Sequence, residues 1–386
     1  MGSDAGPVVA KGLFALFSVL VFYILVGYPL LLALAARLRA RPVRRGAYEP
    51  SISIIIAVHN GAQWLEAKLH SVLALDYPRE KMEVVVVSDG STDHSEAIAR
   101  QFEGQGVRLV KVPKGGKPLA LNAAIATVSG EILLLTDVRQ MLAANSVGCL
   151  MRCLADPEVG VVSGELVIAT GESQEETQIG LYWKFEVWLR DQLSLIDSMF
   201  GATGAFYAMR RELAVTIPAD ILLDDVYLPL AAFFRGYRLI IEKSAYAYDV
   251  PTRREAEFRR KVRTLAGNYQ ILMAYPSLLG WGNRMWWHFV SYKLGRLLLP
   301  WALIGMALSS VFLPDPWRWW IAGGQAFGYA LAGLDEWIPT GFPIKKLSSP
   351  ARTFVVMMAA AAMAVSVFFV PAQSLWKSTR SETPPA

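Results

Sequence analysis

The chain has 386 residues, of which 54% are hydrophobic and only 18% charged, with a net charge of +5. Soluble chains average about 25% charged residues, and here the deficit is concentrated: residues 12–36, 297–314, 319–334 and 353–376 contain no Asp, Glu, Lys or Arg. This excludes an ordinary soluble enzyme, a disordered chain and a disulfide-stapled secreted scaffold, and leaves a membrane protein with a globular middle at about residues 48–270.

The first apolar stretch is followed by Arg37, Arg39, Arg41, Arg44 and Arg45. Basic residues beside a span stay on the cytoplasmic side. The pattern predicts an outward N-terminus and a cytosolic middle. A cleavable signal carries its basic residues before an apolar core of about 7–15 residues. Here the core is longer and the cluster follows it, so residues 1–47 read as a retained anchor with a basic juxtamembrane segment. This local role accounts for the positive charge without a nucleic-acid partner, and no basic-aromatic platform of the RNA-binding kind is present.

Residues 51–58 (SISIIIAV) read as a buried strand, 63–75 as a helix, 83–88 as a strand and 92–103 as a helix. A strand at 107–112, a helix at 117–128 and a strand at 130–136 follow. Near-continuous apolar strands alternating with helices predict an α/β, Rossmann-like domain with a mainly parallel sheet covered on both faces. Ligands of such sheets bind beyond the carboxyl ends of the strands. Past residue 140 the pattern loosens. Cys149 and Cys153 read as small buried apolar residues, and nothing has the spacing of a zinc site. Residues 178–196 place Phe185, Leu189, Leu193 and Ile196 at helical spacing, which suits a core helix and an interfacial one equally. The segment 270–292, with Trp281, Trp286 and Trp287, reads as interfacial. Residues 271–376 are expected to hold that segment and the C-terminal spans, and 377–386 a polar tail.

Four clusters carry chemistry. Ser88-Asp89-Gly90-Ser91-Thr92 ends the second strand, where a carboxylate and a glycine turn suit a base or sugar hydroxyl; a plain Asp-Gly turn with Thr92 as helix cap is the alternative. Asp137 ends the fourth strand, where one carboxylate can share a divalent cation with a diphosphate, or merely cap a turn. Asp224 and Asp225 are adjacent in an apolar context. Their repulsion can raise one pKa and make a general base, while the alternative is a cap and a first-turn acid of a helix over 226–235. Arg259, Arg260, Lys261 and Arg263 follow a Pro-Thr-Arg-Arg turn and suit either a pyrophosphate or anionic lipid.

In order, Asn60, Ser88-Asp89-Gly90-Ser91, Gly116-Lys117-Pro118-Leu119-Ala120-Leu121-Asn122, Asp137, Gly201-Ala202-Thr203-Gly204, Asp224-Asp225 and Arg260-Lys261-Val262-Arg263-Thr264 resemble the membrane glycosyltransferases of family 2. That group contains the cellulose, chitin, hyaluronan and poly-N-acetylglucosamine synthases. The resemblance covers about residues 50–270, and the flanking apolar segments also resemble the group. It implies a GT-A fold and inverting transfer from a nucleotide sugar, usually UDP-linked. By position it implies that Asn60, Asp89, Lys117 and Asn122 line the nucleotide-sugar site. Asp137 matches the first acid of a DxD motif that binds Mg²⁺ or Mn²⁺, and Asp225, beside Asp224, matches the base that deprotonates the acceptor. Gly201, Thr203 and Gly204 match the loop near the acceptor, and Arg260 and Arg263 the QxxRW position near the diphosphate. Two departures stand out. The DxD reads Asp137-Val138-Arg139, so Arg139 is expected to replace part of the cation's charge. Thr264 stands where the acceptor-stacking tryptophan belongs, which argues against processive synthesis.

These features predict a transferase of the plasma (inner) membrane that extends an exopolysaccharide on its cytosolic face, alone, as a homo-oligomer or with an export partner. Single addition to a lipid-linked acceptor and a catalytically weak nucleotide-binding partner subunit are the alternatives.

Overall fold

The computed structural model describes residues 5–168, 174–249, 254–339 and 341–377. The expected Pro-Thr-Arg turn at 251–253 and most of the polar tail lie outside the described residues. In chain order the N-terminal helices are α1 (Ala5–Phe22) and α2 (Tyr28–Leu38), joined by a π-turn over Tyr23–Gly27. Then come β1 (Ile52–Val58), α3 (Ala62–Leu73), β2 (Met82–Asp89), α4 (Ser95–Gln101), β3 (Val107–Val112), α5 (Lys117–Ile125) and β4 (Ile132–Asp137). They are followed by β5 (Met141–Leu142), α6 (Ser146–Leu154), β6 (Val159–Ile168), α7 (Gln174–Ile196), β7 (Phe206–Arg210), α8 (Asp224–Phe234) and β8 (Arg238–Asp249). The remainder is helical: α9 (Arg254–Ala274), α10 (Trp286–Phe289), α11 (Gly295–Ser310), α12 (Trp317–Leu334), α13 (Lys345–Met363) and α14 (Ala372–Lys377).

The described residues group into two compact units, one drawn from Ala35–Ala169 and Glu186–Pro251, the other from Met1–Leu34, Thr170–Phe185 and Thr252–Ala386. In the first unit, Arg41 pairs with Asp197 (2.7 Å) and Glu158 (2.9 Å), Arg45 pairs with Glu242 (2.6 Å), and the Arg44 amide donates to Asp156 (3.0 Å). The basic juxtamembrane arginines are therefore part of the sheet unit.

That unit is one eight-stranded sheet in the order β3-β2-β1-β4-β7-β6-β8-β5. β3, β2, β1 and β4 are mutually parallel, and β1 is buried almost end to end because helices cover both its faces. The mainly parallel expectation is corrected here to a mixed sheet. β7 runs antiparallel to both β4 and β6, and β5 antiparallel to β8. β7 is entered from a loop lying at the carboxyl end of β4, where the Asp137 amide donates to the Ala205 carbonyl (3.2 Å). A strand that starts beside another's end must run back along it. Gly164 in β6 permits this packing, since a Cβ there would lie 2.1 Å from the Phe206 ring.

α7 spans 174–196, and its last half buries Val187, Leu189 and Leu193, as a core helix does. Cys149 and Cys153 are buried and unbridged on α6. In the helical unit, Tyr23 and Ser291 share a hydrogen bond of 2.6 Å, and the Trp287 indole donates to Tyr23 Oη. Lys345, Ser348 and Ser349 surround the buried Asp335 carboxylate. Elsewhere this unit leaves apolar side chains on its surface, among them Val19, Phe22, Leu30, Trp319, Trp320 and Phe369. Two stretches, Val8–Leu38 and Lys345–Phe368, are long and apolar enough to cross a membrane.

Candidate active site

The site is assembled at the carboxyl ends of β1, β2 and β4. Asn60, just past β1, adopts a left-handed backbone (φ 52°). Its side-chain oxygen accepts from the Thr92 amide at 2.8 Å, which laces the loops after β1 and β2 together. Asp89 ends β2 almost fully buried. Its carboxylate accepts the Gly115 amide (2.7 Å) and the Gly116 amide (3.0 Å). Asp89 thus folds the glycine turn that opens α5, and that turn sets the position of Lys117.

The Lys117 ammonium lies between two carboxylates, 2.9 Å from Asp137 Oδ1 and 3.1 Å from Asp224 Oδ2. Burial alone would lower its pKa, but Asp137, Asp224 and Asp225 together outweigh burial and hold it protonated. Both aspartates of the pair belong to the first turn of α8, whose cap is Leu223, so the helix starts earlier than the expected residue 226. Burial first, and then the Asp224 charge, raises the Asp225 carboxyl from 3.8 to about 6, against the pull of Lys117 and Arg190. A carboxyl tuned toward neutrality is the form a general base takes.

The loop before β7 closes the cluster. The Ala202 amide donates to the Asp225 carbonyl (2.8 Å), and Thr203 Oγ1 accepts from Arg190 (2.9 Å). A Cβ on Gly204 would lie 2.9 Å from Asp225 Oδ2 and 3.8 Å from Asp137 Oδ2. Gly204 is thus required by close approach rather than by a turn. Gly204→Ala is expected to displace the Asp225 carboxylate and lower kcat/KM by roughly 10–100-fold with little change in Tm, since a misplacement of ~1 Å can cost about 10²; steady-state kinetics and a melting curve on the same sample check this.

The structure therefore brings Lys117, Asp137, Asp224, Asp225 and Gly204 together, with Thr203 beside them. The Asn122 side-chain amide clamps Ile217, donating to the carbonyl (2.8 Å) and accepting from the amide (2.9 Å). Arg139 pairs with Asp249 at 2.5 Å, and Lys117 bridges Asp137 and Asp224. Arg260 and Arg263 stand on α9 in the helical unit, and the Thr264 hydroxyl bonds back to the Arg260 carbonyl (2.9 Å).

Three residues were not anticipated. Arg190 holds Thr203 and acts electrostatically on Asp225. Tyr207 on β7 is fully buried, and its hydroxyl has no hydrogen-bond partner among the described residues. Burial, with the charges of Asp224, Asp225 and Asp137, holds that phenol protonated. Lys68 on α3 is also fully buried, and burial pushes it down to about 7 against the pull of Asp137. Lys68 was detectable in principle, because it shares the apolar stripe of Leu65, Leu69 and Val72.

Among the described residues no group of three His, Cys, Asp or Glu side chains could hold a metal ion. A divalent cation that completes its coordination with diphosphate oxygens needs only one or two protein carboxylates. Asp137, with its side chain 39% exposed, supplies one, so the residues fit an ion held jointly with substrate.

Residues 53–217 match the model of glycosyl transferase family 2. The chain carries a family 2 glycosyltransferase domain. Its sheet unit has the GT-A glycosyltransferase fold, which a solved mannosyltransferase of Pyrobaculum calidifontis in complex with GDP-mannose and Mn²⁺ resembles with a TM-score of 0.71. That likeness, at 25% identity, covers 92% of this chain and 99% of the mannosyltransferase. Poly-β-1,6-N-acetyl-D-glucosamine synthase of Staphylococcus aureus is 24% identical over 230 residues, 58% of this chain. The match spans only 55% of that synthase's length. An N-acetylglucosaminyltransferase of Rhizobium meliloti is 26% identical over 295 residues, 70% of this chain and 68% of its own. The clustered Asp225, Asp137 and Lys117 thus lie in a glycosyltransferase domain or directly beside its matched segment.

If Asp225 is the base of this domain, it works only when deprotonated. The profile of kcat/KM, which reports the free enzyme, is then expected to rise about tenfold per pH unit up to an apparent pKa of about 6 and to level off above it. Initial rates across a pH series check this.

Proposed function

We propose that this protein is an inverting glycosyltransferase that moves a sugar from a UDP-sugar to a growing exopolysaccharide chain at the cytosolic face of the plasma membrane. The observation that carries the reading is the Asp225 carboxyl, raised to about 6 and set against the Gly201–Gly204 loop next to the Lys117–Asp137 pair. An acceptor hydroxyl between Asp225 and the donor's anomeric carbon loses its proton to Asp225 as the new bond forms, and attack opposite the leaving group inverts the centre. Lys117 faces the charge that develops on the leaving diphosphate. Mg²⁺ or Mn²⁺ held at Asp137 would supply further positive charge there. Positioning of two substrates supplies much of the remaining acceleration.

The polysaccharide synthase of S. aureus and the N-acetylglucosaminyltransferase of R. meliloti support the polymer reading. One observation favours a second reading, single addition to a lipid-linked acceptor: Thr264 occupies the position that the resemblance gives to the acceptor aromatic. The apolar surface of the helical unit and the stretches Val8–Leu38 and Lys345–Phe368 support a multi-pass membrane placement.

The test is nucleotide release by the detergent-purified chain from a panel of UDP-sugars and GDP-mannose, with Mg²⁺, with Mn²⁺ and with chelator, followed by sizing of the product. Release with one UDP-sugar and a ladder of long products supports the polymer reading. A product one sugar longer than the acceptor overturns it in favour of the second, and release of GDP alone overturns the UDP donor in both. No release from any donor in the presence of glycan and lipid acceptors overturns both.

A further inference from the structure

A lysine with no exposed surface inside a helix–sheet interface is costly unless its ammonium has work to do. Lys68 has no exposed surface. Its Nζ donates to Thr136 Oγ1 at 2.7 Å and to the Gln140 carbonyl at 2.5 Å. These two acceptors bracket Asp137. The Thr136 hydroxyl in turn donates to the Ala205 carbonyl at 2.8 Å, one residue beyond Gly204. One amine thus ties α3 to the turn that carries Asp137 and, through a single hydroxyl, to the loop against Asp225. Leucine or methionine would fill the same volume without these bonds, so shape alone does not call for lysine.

We propose that Lys68 is a positioning residue that holds the Thr136–Gln140 turn, and with it Asp137, in the geometry that receives the donor diphosphate. This rests on the reading of Asp137 given above. Lys68 acts through Thr136 and the Gln140 carbonyl and touches neither substrate.

The experiment compares Lys68→Met, Thr136→Val, Thr136→Ser, the double variant Lys68→Met/Thr136→Val and, as a control, Asp137→Asn, all in the full chain. Lys68→Met is expected to lower kcat/KM for the donor by roughly 10–100-fold, with the acceptor KM unchanged. Calorimetry with UDP and GDP as probes is expected to show about tenfold weaker diphosphate binding. The Tm is expected to hold or rise, because an apolar side chain replaces a buried ammonium. Thr136→Val is expected to move donor kinetics in the same direction and Thr136→Ser to restore them. The double variant should lose less than the product of the two single losses, because both break one network. Wild-type donor kinetics and diphosphate binding in Lys68→Met, next to a damaged Asp137→Asn, overturn the proposal alone. Equal losses in donor and acceptor parameters with a lowered Tm also overturn it, by showing an ordinary structural prop. A silent Asp137→Asn overturns the reading of Asp137 and the proposal with it. If Lys68→Met does not fold, the contrast between Thr136→Val and Thr136→Ser decides.

Discussion

Asp225→Asn is expected to abolish most transfer while making the protein more stable. Loss of a general base costs typically 10²–10⁴-fold in rate, and the acid limb of the pH profile should vanish with it. The stability effect has the opposite sign. Asp225 titrates at about 6 when folded, against 3.8 for the ordinary side chain, so folding favours its protonated form. Its contribution is fully present below about pH 4 and is lost as pH rises through about 6. At pH 8 the wild-type protein carries an ionised group in a site that disfavours the charge, and the neutral Asn side chain carries none. A shift of this size corresponds to roughly 2–3 kcal/mol as an upper bound. Denaturant melts of both proteins at pH 4 and pH 8 check this: the variant should gain at pH 8 and gain little at pH 4.

Lys117→Met is the second large effect, and here stability and activity fall together. The variant leaves Asp137, Asp224 and Asp225 facing one another with their shared cation gone. Removing one member of a buried charge cluster costs about 3–5 kcal/mol, and the 24% exposure of the Lys117 side chain places the expectation at the low end of that range. Lys117 lowers the Asp225 pKa, so whatever activity survives should have its acid limb moved to higher pH. Chemical denaturation and the pH dependence of residual release measure the two effects separately.

β1, β2 and β4 were legible because strands covered on both faces leave unbroken apolar runs. The other half of the sheet was not. Gly160 and Gly164 interrupt β6, β5 is two residues long, and β7 is placed by a loop rather than by a crossover helix. At the site, Asp137, Lys117 and the Asp224–Asp225 pair stand at strand ends and helix starts, where local pattern already fixes their direction. Arg139 and Asn122 do not. Their directions depend on Asp249, 110 residues away, and on Ile217, 95 residues away. A motif read along the chain carries no information about such partners. For Arg139 that partner is the carboxylate at the end of β8.

The arginines that follow the first apolar helix have a consequence in time. Arg41 and its partner Glu158 are separated by 117 residues. At a synthesis rate of about 5–20 residues per second, Arg41 leaves the ribosome roughly 6–23 s before that carboxylate exists. Asp156, Asp197 and Glu242 are also made later than the arginines they bind. On the proposed topology, the nascent chain therefore presents Arg41, Arg44 and Arg45 as bare cations to the insertion machinery, when orientation is being decided. Once the sheet unit has been completed, the same side chains become its ion pairs. One short segment thus serves first as an address and later as mortar, and substitutions in it should produce two separable defects: inverted insertion in newly made chains and loosened packing in mature ones.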